Sequence, residues 1–139
     1  MIEVHERDRV LHLGFGDGSA TCDLARRAST GLALGVDPSE ETVRRARRLA
    51  VEIENLMFVT GSPEEVPWQE DFFSLVVSEA PPADWSRAAR EIFRVAAHGG
   101  RVWVASPPDG AEALFREAGF AAVRLHAGPS RLEALKSAS

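Results

Sequence analysis

Short apolar runs alternate with segments of helical periodicity along almost the whole chain, and this alternation constrains the fold more than any other feature. The predicted strands are 9–13, 31–37, 56–60, 72–78 and 101–105, with two weaker runs, 121–126 and 131–135, that could form a closing hairpin around Gly128 and Pro129. The predicted helices are 19–28, a segment opened by Pro38 and Ser39, 87–97 closed by a left-handed glycine cap at Gly99 and Gly100, and 111–118. Such alternation is typical of a parallel sheet with helices on both faces.

Length and composition narrow the class of protein. The 139 residues suit one domain, 1–139. A single cysteine excludes an internal disulfide, and the scattered histidines show no metal-binding spacing, so no metal site is expected. The formal charge of −5 disfavours a nucleic-acid partner. No apolar run is long enough to span a membrane and the charged start does not resemble a signal peptide, so a cytoplasmic location is expected.

The most informative segment is the glycine stretch after the first strand. Gly14, Gly16 and Gly18 have the spacing G-x-G-x-G, and Asp37 ends the second strand. Glycines let the backbone approach a ligand closely, the following helix start offers free amides, and a carboxylate at the next strand end can accept hydrogen bonds from ribose hydroxyls. The pattern favours adenosine binding. The alternative is a tight strand-to-helix turn with Asp37 as a helix cap.

At these residues the sequence resembles the class I S-adenosylmethionine-dependent methyltransferases, particularly the small ubiquinone-biosynthesis-like (methyltransferase domain 11 type) branch. The resemblance runs from residue 9 to about residue 135, and its matching segments are 14–18, 36–39, 61–68, 73–78, 90–95 and 99–102. It implies a doubly wound, Rossmann-like α/β fold of three layers, with a seven-stranded sheet that is mostly parallel and whose last strand is antiparallel.

The resemblance also implies a function and a set of site residues. It implies a methyltransferase that binds S-adenosylmethionine across the carboxyl ends of the strands and acts on an unknown acceptor. The residues implied to contact the cofactor are Gly14, Phe15, Gly16, Asp17, Gly18, Asp37, Pro38, Ser62, Pro63, Ser78 and Glu79. No residue is singled out as catalytic, because methyl transfer depends mainly on alignment, and Glu79, Asp84 and His12 are equivalent candidates for a base.

Three positions depart from the family pattern at the cofactor site. His12 stands where the family usually has a carboxylate that helps to hold the methionine ammonium group. Ser62 replaces an aspartate that accepts from the adenine amino group, and Pro63 lacks a backbone N–H for the ring. Losing three such anchors costs on the order of 3–6 kcal/mol, or roughly 10²–10⁴ in affinity. The sequence therefore predicts a weakened cofactor site.

Two alternatives to an active methyltransferase remain open. The three departures favour a catalytically degenerate domain that serves as a binding or scaffold module. A nicotinamide-dependent oxidoreductase is a weaker alternative, because its fingerprint would need glycine where Ser19 stands. Few residues precede the first strand, so a second copy of the chain or a protein partner is expected to cover an open substrate side.

Overall fold

The computed structural model describes residues 2–128 and 130–138 of the chain. In these ranges seven strands form one sheet of order β3-β2-β1-β4-β5-β7-β6. The strands are β1 (Arg9–Leu13), β2 (Leu32–Asp37), β3 (Leu56–Thr60), β4 (Phe73–Ser78), β5 (Ala96–Ala105), β6 (Ala122–His126) and β7 (Arg131–Leu135). The first five are mutually parallel, whereas β7 is antiparallel to both β5 and β6. The predicted fold class is confirmed, including the hairpin; Pro129, predicted in its turn, lies outside the described residues.

Helices cover the two faces of the sheet. They are α1 (Ser19–Arg27), α2 (Glu40–Leu49), α3 (Trp85–Val95) and α4 (Ala111–Ala118). Because side chains alternate along a strand, Val10 of β1 packs with α1, whereas its neighbour Leu11 belongs to the core shared with α3 and α4. The central strands are therefore buried on both faces, which explains why they appear in the sequence as continuous apolar runs.

Side-chain caps define where two of the helices begin. The Ser39 hydroxyl accepts from the Thr42 N–H at 3.2 Å and starts α2. The Asp84 carboxylate accepts from the Arg87 N–H at 3.1 Å and starts α3. Each cap satisfies an amide that the helix itself cannot bond.

The predicted end of the third helix was wrong. The helix spans Trp85–Val95 instead of 87–97, Ala96 is already extended, and β5 begins there. Gly99 has the positive φ of 79° that a left-handed cap would have, but it lies within β5, near a shift in the β4–β5 register. The physical reason is Lys136, whose buried amine donates to the carbonyl oxygens of Phe93 and Ala96 at 2.8 and 2.9 Å. This cation completes the helix end in place of a glycine turn.

None of the helices in the described part of the chain is long and apolar enough to cross a membrane.

Candidate functional site

The loops that follow β1, β2, β3 and β4 meet at the carboxyl edge of the sheet. The Gly14 N–H donates to the Val36 carbonyl at 3.1 Å, and the Gly61 N–H donates to the Asp37 carbonyl at 3.0 Å. A Cβ added to Gly14 would lie 2.3 Å from the Cβ of Ala80, so the loops after β1 and β4 are in contact. The four segments that the sequence implicated are thus brought together at one edge.

The glycine loop depends on left-handed backbone conformations. Gly14, Gly16 and Gly18 have φ values of 70°, 65° and 94°. A Cβ at Gly18 would approach the Phe58 ring to 3.1 Å, whereas a Cβ at Gly16 would meet nothing within 4 Å. Gly16 therefore presents its backbone to open space at the site, where a ligand could pack against it.

The other two residues of this loop face different surroundings. The Phe15 side chain is buried, with its ring centroid 4.7 Å from that of Phe58, so only its backbone borders the site. The Asp17 carboxylate is exposed and accepts from the N–H and the hydroxyl of Ser19 at 2.9 and 2.7 Å. The hydrogen bond from the Ser19 N–H, followed by that from its hydroxyl, lowers the pKa of Asp17. Asp17 thus shapes the start of α1.

Asp37 stands at the carboxyl end of β2. Its Oδ1 accepts from the Ser39 N–H at 2.9 Å, which fixes the carboxylate between β2 and the start of α2. Among residues 2–128 and 130–138 no hydrogen-bond donor is assigned to Oδ2, so this oxygen can accept from a ligand hydroxyl. Pro38 is exposed beside it. The Asx turn is the local reason for the side-chain direction, and Ser39, not Asp37, caps α2.

The loop at 61–68 carries Ser62 and Pro63, both partly exposed, next to a short bridge between Ser62 and Glu65. Residues of α3 hold this loop in place. The Glu91 carboxylate accepts from the Val66 N–H at 2.9 Å, and Arg94 donates to the carbonyls of Val66 and Trp68, both at 3.0 Å. Sequence reasoning missed this contribution, although Glu91 and Arg94 have the i,i+3 spacing of a helix ion pair.

The Glu91–Arg94 ion pair is charged under ordinary conditions. Burial by itself raises the pKa of Glu91, but hydrogen bonds from Arg94 and from the Val66 N–H outweigh it, so the pKa is lowered. The hydrogen bond to Glu91 in turn raises the pKa of Arg94. The loop is therefore held by charge-assisted hydrogen bonds, which are stronger than neutral ones.

At the end of β4, Ser78 is buried and Glu79 is the first residue beyond the strand. The Glu79 Oε1 lies 2.7 Å from Nε2 of His12, whose side chain is only 1% exposed. The other ring nitrogen of His12 lies 2.8 Å from the hydroxyl of Thr21 on α1. The hydrogen bond with His12 lowers the pKa of Glu79. Position 12, where the family usually has a carboxylate, is thus in contact with the carboxylate of Glu79, which directly follows the neighbouring strand β4.

Open space adjoins the Glu79 side chain on the α1 face of the sheet. A pocket of about 300 Å³ lies there, with Glu79, Leu24 and Trp103 in its walls. A wider groove of about 560 Å³ continues from Trp103 across β5, β7 and β6 and includes Arg101 and Glu133. The surface next to Glu79 is therefore open on this side.

Ser74, in β4, lies away from this edge. Its hydroxyl donates to the Asp8 carboxylate at 2.7 Å and accepts from the Arg9 N–H at 2.9 Å. Both partners are at the amino edge of the sheet, so Ser74 has a structural role.

A family model described as a methyltransferase domain matches residues 10–100 of the chain. The chain therefore belongs to the methyltransferase domain family, and its fold is that of the class I S-adenosylmethionine-dependent methyltransferases. Among curated proteins it is similar to YrhH of Bacillus subtilis, which is named as a methyltransferase, with 30% identity over 107 residues that cover 74% of this chain and 59% of YrhH. The chain spans only 36–60% of the length of the four curated relatives that it matches.

Two solved structures extend the comparison. The chain is 26% identical to the methyltransferase of Haloferax volcanii in complex with the methyltransferase activator Trm112, with a TM-score of 0.79 over 88% of this chain and 65% of the other. A S-adenosylmethionine-dependent methyltransferase from Aquifex aeolicus shares the fold, with a TM-score of 0.74, 15% identity and coverage of 95% and 82% of the two chains.

Proposed function

We propose that this protein binds S-adenosylmethionine at the carboxyl edge of its sheet and transfers the methyl group to an acceptor. The observation that carries the proposal is the loop with three left-handed glycines, in which Gly16 borders open space, next to the Asp37 carboxylate, whose Oδ2 has no donor assigned among the described residues. These features fit the cofactor, since a nucleoside needs close backbone approach and a carboxylate that accepts from its ribose. Family membership supports the same conclusion.

The remaining implied residues have roles that follow from their places. Asp37 and Pro38 would border the ribose, and Ser62 and Pro63 lie on the loop that would face the adenine ring. The backbone of the glycine loop, close to Ser78 and Glu79 at the end of β4, would lie beside the amino-acid end of the cofactor. The Glu91–Arg94 ion pair keeps the adenine-side loop in position.

S-adenosylmethionine supplies a methyl group on a sulfonium, which a nucleophile attacks in line. The chain contributes mainly by holding donor and acceptor in that alignment. Of the three candidate bases, His12 is too deeply buried to reach an acceptor, the Asp84 carboxylate is engaged in capping α3, and the Glu79 carboxylate is hydrogen-bonded to His12. We therefore assign no general base, which suits an acceptor that is already nucleophilic at neutral pH.

We further propose that a protein partner or a second copy of the chain covers the open groove beside Trp103. The methyltransferase of Haloferax volcanii supports this proposal, because that structural relative forms a complex with a protein, the activator Trm112. We also propose a cytoplasmic location, which the single buried cysteine suits, because thiols stay reduced there.

Calorimetric titration with S-adenosylhomocysteine tests cofactor binding directly, because this product keeps the adenosine and amino-acid groups but has no methyl group to transfer. We expect micromolar binding that is about 10- to 100-fold weaker in Asp37→Ala, which loses charged hydrogen bonds to the ribose. Glu117→Ala removes an exposed carboxylate from α4, on the opposite face from α1, and should bind like the wild type.

No binding up to millimolar ligand would contradict the proposal. It would favour the alternative of a degenerate domain that acts as a binding or scaffold module. Binding of a reduced nicotinamide cofactor instead would favour the oxidoreductase alternative.

A further inference from the structure

We propose that His12 and Glu79 act as a unit, in which the buried histidine holds the Glu79 carboxylate as the counter-ion of the cofactor's α-ammonium group. This inference rests on the proposed binding of S-adenosylmethionine. It assigns Glu79 as a contact of the amino-acid end and His12 as a positioning residue that acts through Glu79.

The first step concerns the charge that the site must supply. The amino-acid end of S-adenosylmethionine carries an ammonium group, and a cation that leaves water needs an anionic partner. Position 12 of this chain is a histidine, which offers no negative charge. Of the carboxylates at this edge, Asp17 is bonded twice to Ser19 and Asp37 lies at the ribose end beside β2. Asp84, also after β4, caps α3. Glu79 lies next to the glycine loop, which touches the following residue, Ala80.

The second step concerns the orientation of the histidine ring. An ionised carboxylate only accepts hydrogen bonds, so Nε2 of His12 donates to Oε1 of Glu79 at 2.7 Å. In the neutral ring Nδ1 is then an acceptor, and the hydroxyl of Thr21 donates to it at 2.8 Å. Thr21 and His12 are both buried, and the contacts on both sides of the ring fix its position. Thr21 thus holds the His12 ring, and the ring in turn holds the Glu79 carboxylate, as residues behind a binding site fix the side chains that contact the ligand.

The third step concerns the free side of the Glu79 carboxylate. Its side chain is 42% exposed and faces the pocket of about 300 Å³ on the α1 face. Asp23 and Arg27 also line that pocket, but they face each other across 3.5 Å and offset one another's charge. One Glu79 oxygen is held by His12, and no donor within the described residues is assigned to the other. The lowered pKa of Glu79 is consistent with a carboxylate that stays charged.

Three ligands that differ at the amino-acid end separate this role from a structural one. They are S-adenosylhomocysteine, its analogue without the α-amino group, and 5′-methylthioadenosine, which lacks the amino-acid end. For Glu79→Gln we expect binding of S-adenosylhomocysteine to weaken about 10- to 100-fold, because a charged hydrogen bond is lost, while binding of the other two stays within about threefold.

His12 variants test the positioning role in the same way. His12→Leu removes the donor to Glu79, so it should weaken S-adenosylhomocysteine alone. His12→Gln keeps an N–H donor, so it should retain more of that affinity. In the background of Glu79→Gln, His12→Asp returns a carboxylate to position 12 and should restore the preference for the ligand that carries the amino group.

The outcomes are distinct. A Glu79→Gln variant that binds all three ligands like the wild type, or that weakens all three alike, overturns the inference while leaving the proposed function intact. If wild-type protein binds none of the ligands at millimolar concentration, the proposed function fails and this inference fails with it. If the His12 variants do not fold, as monitored by thermal unfolding, Glu79→Gln with the three ligands decides the question, because its side chain is at the surface.

Discussion

The carboxylate of Asp8 joins separate parts of the chain at the amino edge of the sheet, opposite the candidate site. It accepts from the Arg101 guanidinium at 2.8 and 3.3 Å, from the His5 N–H at 2.7 Å and from the Ser74 hydroxyl at 2.7 Å. Burial by itself raises the pKa of Asp8, but the hydrogen bond from Arg101, then those from His5 and Ser74, lower it to about 2. The residue is 4% exposed, so these bonds are shielded from water.

The pKa of Asp8 predicts a specific loss of stability in acid. A carboxyl group with a folded-state pKa of about 2, against an ordinary value of 3.8, stabilises the fold fully above pH 4 and loses that contribution as the pH falls towards 2. The contribution is about 2 kcal/mol. Urea unfolding between pH 2 and pH 6 should show Asp8→Asn less stable than the wild type at pH 6, with the difference shrinking towards pH 2. A constant difference across this range would contradict the prediction.

Gly14 and Gly16 predict two different consequences of adding one methyl group. Gly16→Ala places a Cβ in open space and should cost only about 1–2 kcal/mol for its left-handed φ of 65°. Gly14→Ala has the same conformational cost plus a contact at 2.3 Å with Ala80, which should add about 1–3 kcal/mol. Chemical denaturation measures both costs, and equal costs for the two variants would contradict this prediction.

In titrations, Gly16→Ala should still weaken the binding of S-adenosylhomocysteine at least tenfold, because the added methyl group occupies the ligand's space.

The boundary between α3 and β5 depends on a residue that is distant in the sequence. Lys136, next to the end of β7, donates to Asp71 at 2.7 Å and to the two carbonyl oxygens at the end of α3. Its amine also lies 4.3 Å from the centre of the Phe93 ring. The closing hairpin thus holds the end of a helix that is more than thirty residues earlier in the chain.

The Lys136→Met variant measures how much this junction contributes to the free energy of unfolding. The variant fills a similar volume but leaves two carbonyl oxygens and Asp71 without their cation, so it should lower the free energy of unfolding by about 2–4 kcal/mol. Arg90→Met is the matched control, because Arg90 is exposed on the same helix and, within residues 2–128 and 130–138, Ser86 is its one assigned hydrogen-bond partner. This variant should cost less than about 0.5 kcal/mol. Urea denaturation at pH 7 gives both values. A loss below about 1 kcal/mol for Lys136→Met would rule out this role.

The helices and strands could be predicted from the sequence where the local hydrophobic pattern favours the same structure as the packing in the folded chain. Each of the seven strands overlaps a predicted apolar run, and the agreement is close for β1 to β4, because buried parallel strands need continuous apolar sequence. β5 begins five residues earlier than predicted. The end of α3 was not predictable, since the sequence around Gly99 cannot reveal that Lys136 satisfies the helix carbonyls. The His12–Glu79 contact was missed for a related reason, because it depends on the register that pairs Leu13 with Ser78.

At the scale of the whole molecule, the layers cover the sheet unevenly. On one face α3 and α4 pack against β5 and β7, where Val102 and Leu132 are buried. On the other face the described residues place no helix over β5, β7 and β6, and the groove beside Trp103 results. The half of the sheet that carries the glycine loop has helices on both faces, so the half without a helix on one face is the part that an additional subunit or partner could complete.

One sheet that runs through the whole described chain predicts that it unfolds as a single cooperative unit. Trp68 and Trp85 pack against the core on the α3 face, whereas Trp103 packs against the cluster on the α1 face. Tryptophan fluorescence and far-ultraviolet circular dichroism should therefore give coincident urea transitions. Separate transitions would show that the two halves of the sheet unfold independently, against the expectation of one domain.

The buried amine at the end of α3 has a practical consequence for chemical labelling. Lys136 is the only lysine in the sequence, and in the folded chain its amine is enclosed by Asp71, Phe93 and Ala96. Amine-reactive reagents should therefore leave this side chain unmodified until the hairpin detaches from the helix. The rate at which a succinimidyl ester acylates Lys136 can be followed by mass spectrometry of peptides. This rate then reports how often the junction between the hairpin and α3 opens.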